Sequence, residues 1–360
     1  MRIGRAVRWI VAIGVGCVGA AGAWGESDDA PLARRGCLGA QVSRTADGLV
    51  VVGVVADGPA HRAGLSVMDE IVAIDGGPIG TPSPAGYLRG RTEGDVVVLT
   101  VRRGGEERIV EAELMAPRTP DLPGALTEFG EVRMPSGERV RTIRTVPFRA
   151  GDRPKPAVLF IQHTDCATID PEVPADDAWT DLVWSIAQAG YATMRVDKPG
   201  VGDSDGLDCA ELDFLTDVEV FKAALASLVA DPRVDPTRVF LVATRGGTMI
   251  APMVARDFDV AGVCVYGPVV RPWFEHLLRT VRRQSGDWQM TPTEVERLMH
   301  GCAELLARVV VAGEPVARVI EAHPELAGVA QSLGGERLFG RTAAFHQQVN
   351  DADLAAAWAM

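Results

Sequence analysis

An apolar, β-branched run from Arg238 to Ala243 ends in Thr244-Arg245-Gly246-Gly247, and helix-like sequence follows. A side chain on a tight strand-to-helix turn is exposed at the end of its strand, and small neighbours let the chain turn without clash. Thr244 carries the hydroxyl in this stretch. A hydroxyl needs a base to take its proton, and the base needs an acid to orient it. His163-Thr164-Asp165 follows a second apolar run, Ala157 to Gln162. Loops at the carboxyl ends of neighbouring parallel strands meet on one face. His163 thus has three readings: part of an oxyanion loop, a substitute base, or a structural residue. His346 is another histidine that could reach this face, whereas His276, His300 and His323 read as surface or packing residues. Arg245 would turn its guanidinium toward the same pocket and hold a carboxylate with two hydrogen bonds. Pairing with Asp197 or Asp203 is the alternative.

The elements needed to position these residues are legible. Strands are expected at Val140 to Phe148, Ala157 to Gln162, Tyr191 to Val196, Arg238 to Ala243 and Val260 to Tyr266. Helices are expected at Ala178 to Gln188, Phe214 to Val229 and Gly247 to Ala255. Such alternation predicts an α/β fold, a mostly parallel sheet with helices on both faces. From residue 268 onward the periodicity is helical: Trp273 to Arg283, Pro292 to Val311, Pro315 to His323 and Ala343 to Met360.

Two stretches within these elements carry a resemblance. They are Asp197-Lys198-Pro199-Gly200-Val201-Gly202-Asp203-Ser204-Asp205-Gly206 and Arg233-Val234-Asp235-Pro236-Thr237-Arg238-Val239-Phe240-Leu241. On them the region from about Gly130 to Trp273 resembles the α/β-hydrolases, closest to the secreted esterase and prolyl-oligopeptidase-like branch. The resemblance implies a hydrolase-like core over residues 127–267 and a helical cap over 268–360, and a serine hydrolase acting on ester or peptide bonds. In active members the turn reads G-x-S-x-G-G. Aligned on its two glycines, this chain has Thr244 in place of serine and Val242 in place of the first glycine. A strained turn suits a β-branched residue poorly. The acid strand and the histidine expected after the cap do not occur before Met360, so the last strands of the sheet are expected to be missing and catalysis impaired. The alternatives are a truncated copy of an enzyme and a non-catalytic relative that binds peptides or carboxylates.

The front of the chain reads differently. Glycine turns separate short strands, Leu49 to Val55, Asp95 to Arg102 and Ile109 to Leu114. Val54 to Leu65, with Gly58-Pro59-Ala60 and Ala63-Gly64-Leu65, leads into Met68 to Gly76, and Gly94-Asp95 follows. On these motifs residues 36–117 resemble a bacterial PDZ domain, with Met68 where that family usually has glycine. The resemblance implies a groove for a peptide or protein C-terminus, formed by strand addition. Leu38, Gly39, Ala40 and Val42 would make its carboxylate loop and strand side, and Ser83 to Leu88 its helix side. Residues 26–35 and 118–126 read as linkers.

Bulk composition limits partners. The net charge of −12 and pI near 5.1 exclude the basic face a nucleic acid requires. No cofactor motif is present, and the cysteines match no zinc pattern, so neither cofactor nor metal is expected. Residues 1–25 predict an export signal: Arg2, Arg5 and Arg8, an apolar run from Trp9 to Val18, and Ala21-Gly22-Ala23 for cleavage. The product would be periplasmic or secreted, with no stable membrane span after cleavage. Oxidising surroundings make a Cys166–Cys209 bridge between two loops of the same face a reasonable pairing. Cys264 reads as a core residue, and one cysteine must be left over or pair between chains.

Overall fold

The computed structural model describes residues 31–45, 48–79, 87–88, 90–117, 122–148, 153–170 and 178–359. The export signal, most of the groove's helix side (83–86) and part of the second linker lie outside the described residues.

The first sheet is antiparallel. Its strands are β1 (Ala40–Arg44), β2 (Leu49–Val54), β3 (Glu70–Ile74), β4 (Gly77–Pro78), β5 (Val96–Arg103) and β6 (Glu106–Glu113), with α1 (Pro59–Arg62) after β2. The order is β1-β2-β3-β5-β6, with β4 on β3, so β1 has one edge unpaired by the sheet. Alternation in β5 buries Val97, Leu99 and Val101 against Val51, Ile71, Leu65 and Ala60. Asp69, nearly inaccessible, takes two guanidinium hydrogen bonds from Arg103 and the Ser66 N–H, and Arg103 holds its carboxyl below the usual range.

The second sheet holds β7 (Ala125–Arg133), β8 (Arg139–Pro147), β9 (Lys155–Ile161), β10 (Ala192–Val196), β11 (Val234–Thr244) and β12 (Gly262–Tyr266). Helices α2 (Ala178–Gln188), α3 (Phe214–Val229) and α4 (Gly247–Ala255) connect its strands. The order is β7-β8-β10-β9-β11-β12; β9, β10, β11 and β12 are parallel, while β8 runs antiparallel to both β7 and β10. This is the strand order of the front of an α/β-hydrolase sheet. β7 was not expected. It begins inside the second linker and pairs with β8 over nine residues, and its sequence, Ala125 to Arg133, has no clean apolar–polar alternation to announce it.

One face of this sheet packs on α3 and α4, through Leu159, Met194, Leu241, Phe221 and Ile250. The other packs on α2 through Val158, Phe160 and Val183. That cover stops short of β12. Cys264, on the same face as Val242, is therefore exposed and not in the core. Among the described residues no strand follows β12, so it forms the edge.

The remaining chain is helical: α5 (Trp273–Ser285), α6 (Pro292–Leu306), α7 (Val316–Ala322), α8 (Ala327–Ser332), α9 (Ala343–Asp351) and α10 (Leu354–Ala357). It has its own core of Leu277, Val281, Leu305, Val309, Val319 and Leu338. A π-helical turn, Ala307–Val311, ends α6, and the helix expected over the last residues breaks at Ala352, whose backbone is extended.

Candidate functional site

The strand-to-helix turn lies one residue later than motif spacing indicates. β11 runs through Thr244, whose register partner is Tyr266. Arg245 is the residue with positive φ, +50°, and its N–H donates to Tyr266 O at 3.0 Å. Gly246 then caps α4, whose first turn closes with Thr248 N–H on Arg245 O at 3.1 Å. The motif G-x-S-x-G therefore falls on Ala243-Thr244-Arg245-Gly246-Gly247, with arginine at the nucleophile position. Thr244 is not at the elbow, and Val242 crowds nothing there. The glycines decide this. A Cβ on Gly246 would strike Thr164 Oγ1 and lie 2.7 Å from His163 Nδ1, and one on Gly247 would strike the Ile161 and Gln162 carbonyls, so the two positions that follow Arg245 and start α4 have room only for glycine.

His163 does not approach Thr244 as a base. Its Nδ1 accepts the Gly246 N–H at 3.1 Å. Gly246 follows the nucleophile position, and its amide is the one that in a working elbow holds the oxyanion. Burial lowers the imidazole's pKa, Asp165 opposes this, and Lys198, Arg245 and Arg341 add to it. The ring is thus held in the neutral form that can accept.

The loop carrying His163 is tied down from three sides. Buried Lys198 donates to His163 O at 2.9 Å and to Asp165 O at 2.7 Å. Cys166 is bonded to Cys209, with 5.7 Å between their Cα atoms. Arg341, from the cap, donates to Cys209 O and to Asp217 of α3, both buried. Desolvation depresses the Lys198 pKa. An isolated buried charge would be costly; here two carbonyls accept its hydrogen bonds and the Asp217 carboxylate favours its charged form.

The acids expected near Arg245 are engaged elsewhere. Asp197 is fully buried, accepts from Ile169 N–H at 2.9 Å and Thr168 Oγ1 at 3.2 Å, and is pushed by burial up to about 7. Asp203 pairs with Arg141 at 2.9 Å, Arg34 at 3.3 Å and Arg35 at 3.6 Å. Arg245 is exposed and has no ion pair among the described residues. His346 is equally distant in role. Trp273 Nε1 donates to its Nδ1 at 2.9 Å, its Nε2 lies 2.7 Å from Leu338 O, and burial pushes it down to about 4. It cements the cap.

Residues 32–35 are not a free linker. Arg34 reaches Asp170 at 2.5 Å and stacks over Phe129 at 3.8 Å. Arg141 donates to Leu32 O at 2.7 Å, and Leu32 N–H donates to Glu131 at 3.0 Å. The strap that leads into the first sheet is therefore clamped to the second. Its only sequence signal was the Arg34-Arg35 pair. Asp203, in the glycine-rich loop, reads as part of a motif and gives no hint of its partners.

In the first sheet, Gly39 has φ +68°, its carbonyl accepts from Val55 N–H at 2.9 Å, and Leu38 O accepts from Ala60 N–H at 2.8 Å. Leu38 is buried, and Ala40 and Val42 pack half-buried against the same core as Tyr87 and Leu88. The Gly39 bond continues the pairing of β1 with β2, and the Leu38 bond ties the loop before β1 to α1.

Residues 36–114 match the PDZ domain family. No curated protein matches the chain. Among solved structures, a hypothetical protein of Pseudomonas aeruginosa is 14% identical, over 65% of this chain and 74% of its own, with a TM-score of 0.41. An α/β hydrolase from a Penicillium species is 17% identical, over 64% and 74%, with a TM-score of 0.39. An HtrA-type protease solved with a decapeptide is 32% identical, over 24% and 30%, with a TM-score of 0.22. These superpositions are partial, and the assignment of the second unit rests on its strand order and elbow turn. The chain joins a PDZ domain, residues 36–114, to an α/β-hydrolase-like sheet whose elbow carries arginine.

Proposed function

We propose that this is an exported peptide-binding protein: its PDZ domain takes a peptide C-terminus, and its hydrolase-like unit holds small carboxylates without hydrolysing esters or peptides. One observation carries the second half. The turn that would present a nucleophile presents Arg245, and the amide beside it is already occupied by His163. A guanidinium cannot attack a carbonyl, but it can grip a carboxylate through two parallel hydrogen bonds. The open edge of β1 and the glycine-containing loop at Leu38 and Gly39 support the first half, since strand addition supplies main-chain hydrogen bonds and such a loop can offer N–H groups to a terminal carboxylate. Support for export comes from the residues before Glu26 and from the Cys166–Cys209 bridge, which suits a periplasmic or secreted protein.

The test uses the chain from residue 26. Fluorescence anisotropy with peptides bearing a free or an amidated C-terminus should show binding to the free form alone. Exposure to p-nitrophenyl esters and a fluorophosphonate probe should give neither turnover nor labelling. Turnover that disappears in Thr244→Ala would restore the hydrolase reading, and equal binding of amidated peptides would remove the proposed recognition of a C-terminal carboxylate.

A further inference from the structure

The cap brings together three side chains of metal-binding type that are remote from the elbow. Glu304 lies in the last turn of α6, just before the π-helical turn; His323 ends α7; Glu325 stands in the single turn Pro324–Leu326. His323 Nδ1 is 3.2 Å from Glu325 Oε1 and 3.8 Å from Glu304 Oε1, and the three donor atoms lie within 4.8 Å of one another. In a tetrahedral zinc site, bonds of about 2.0–2.1 Å place ligand atoms roughly 3.3–3.5 Å apart. The two shorter separations bracket that spacing, so little movement would be needed.

Hydrogen bonding does not account for the whole arrangement. One imidazole nitrogen carries at most one proton, yet carboxylates from two separate elements converge on Nδ1. The backbone holds this in place: His323 N–H donates to Val319 O at 2.8 Å, Leu326 N–H donates to His323 O at 3.0 Å, and Pro324 fixes the link between the two ligands. Arg308 supplies partial compensation, 3.6 Å from Glu304 and 3.7 Å from Glu314, and the second partner gives it somewhere to go.

We propose that Glu304, His323 and Glu325 form a site for a divalent transition-metal ion, zinc by preference, which staples α6 to the segment after α7. The nitrogen ligand disfavours calcium and magnesium, which take oxygen donors. Half-exposure of Glu304 and His323 and full exposure of Glu325 leave room for water in the remaining position. Motif spacing could not show the site, because its ligands come from helix ends brought together by packing and none is a cysteine.

Zinc chloride titrated calorimetrically into the full chain, and into the Cys264→Ser chain to remove the exposed thiol, should saturate one site in both. His323→Ala and Glu304→Gln should each weaken that site by roughly tenfold or more, with the metal-free melting temperature unchanged. Arg308→Ala should tighten it by freeing Glu304. The proposal fails if no saturable binding occurs, if binding survives His323→Ala, if it vanishes in Cys264→Ser, or if calcium binds as tightly as zinc.

Discussion

His163 Nδ1 accepts the N–H of Gly246 at 3.1 Å, so the amide that would stabilise an oxyanion instead holds an imidazole. The bond requires an unprotonated Nδ1. Burial lowers the His163 pKa below its ordinary 6.5, and three neighbouring cations assist. Because the folded value lies below the unfolded one, the contribution to stability is complete above about pH 6.5 and is lost as pH falls through the folded value. Nitrogen-15 NMR should find the Nε2–H tautomer at pH 7 and titration below 6.5. A ring that titrates above 6.5 would contradict the assignment.

Restoring the hydroxyl should not restore hydrolysis. Arg245→Ser places serine at the elbow, but the Gly246 amide remains occupied and the neighbouring imidazole, His163, already uses its Nδ1 to occupy it. Esterase activity of the variant should match background, and a fluorophosphonate should leave it unlabelled. Covalent labelling would show that the His163 loop moves aside.

The Cys166–Cys209 bond closes a loop of 43 residues and fixes both loops beside the elbow. Chain entropy for that length corresponds to about 4 kcal/mol, and measured losses are often smaller. Cys166→Ser with Cys209→Ser should therefore unfold about 2–4 kcal/mol more easily in guanidinium. The same double variant should increase amide exchange at Gly246, since the His163 loop loses an anchor. Unchanged exchange there would separate the bridge from the elbow.

Met68 has φ +75° and is largely exposed, so its left-handed backbone has no packing to compensate it. Left-handed backbone costs an L-residue about 1–2 kcal/mol, and glycine gives part of this back as unfolded-chain entropy. Met68→Gly should stabilise the chain by about 0.5–1 kcal/mol, read as a raised denaturant midpoint with the same slope. A lowered midpoint would mean that the thioether contributes contacts worth more than the strain.

Much of this molecule was legible from local pattern. Phe214–Val229 is a helix with the bounds its periodicity gives, because Asp213 caps it and apolar residues recur on one face. The PDZ motifs sit in the strands and turns that their glycines and alternation indicate. The Cys166–Cys209 pairing was also within reach, since both cysteines follow strands that end on the same face. The exposed position of Cys264 was not. A strand's sequence does not state whether a helix will cover it, and here the cover ends at β11.

The sequence by itself determined that two folds are joined, where the elbow region lies, and that serine is absent from it. Those are properties of residue type and short-range spacing. Which residue stands at the turn was decided only in three dimensions. Two glycines can follow an elbow in more than one register, and the register was set by the space that His163 and the Gln162 carbonyl leave for α4. The occupied oxyanion amide, the clamped strap at Arg34 and Arg35, and the Glu304–His323–Glu325 cluster have the same origin. Each joins residues far apart in the chain, and such contacts exist only once the sheet and cap have packed.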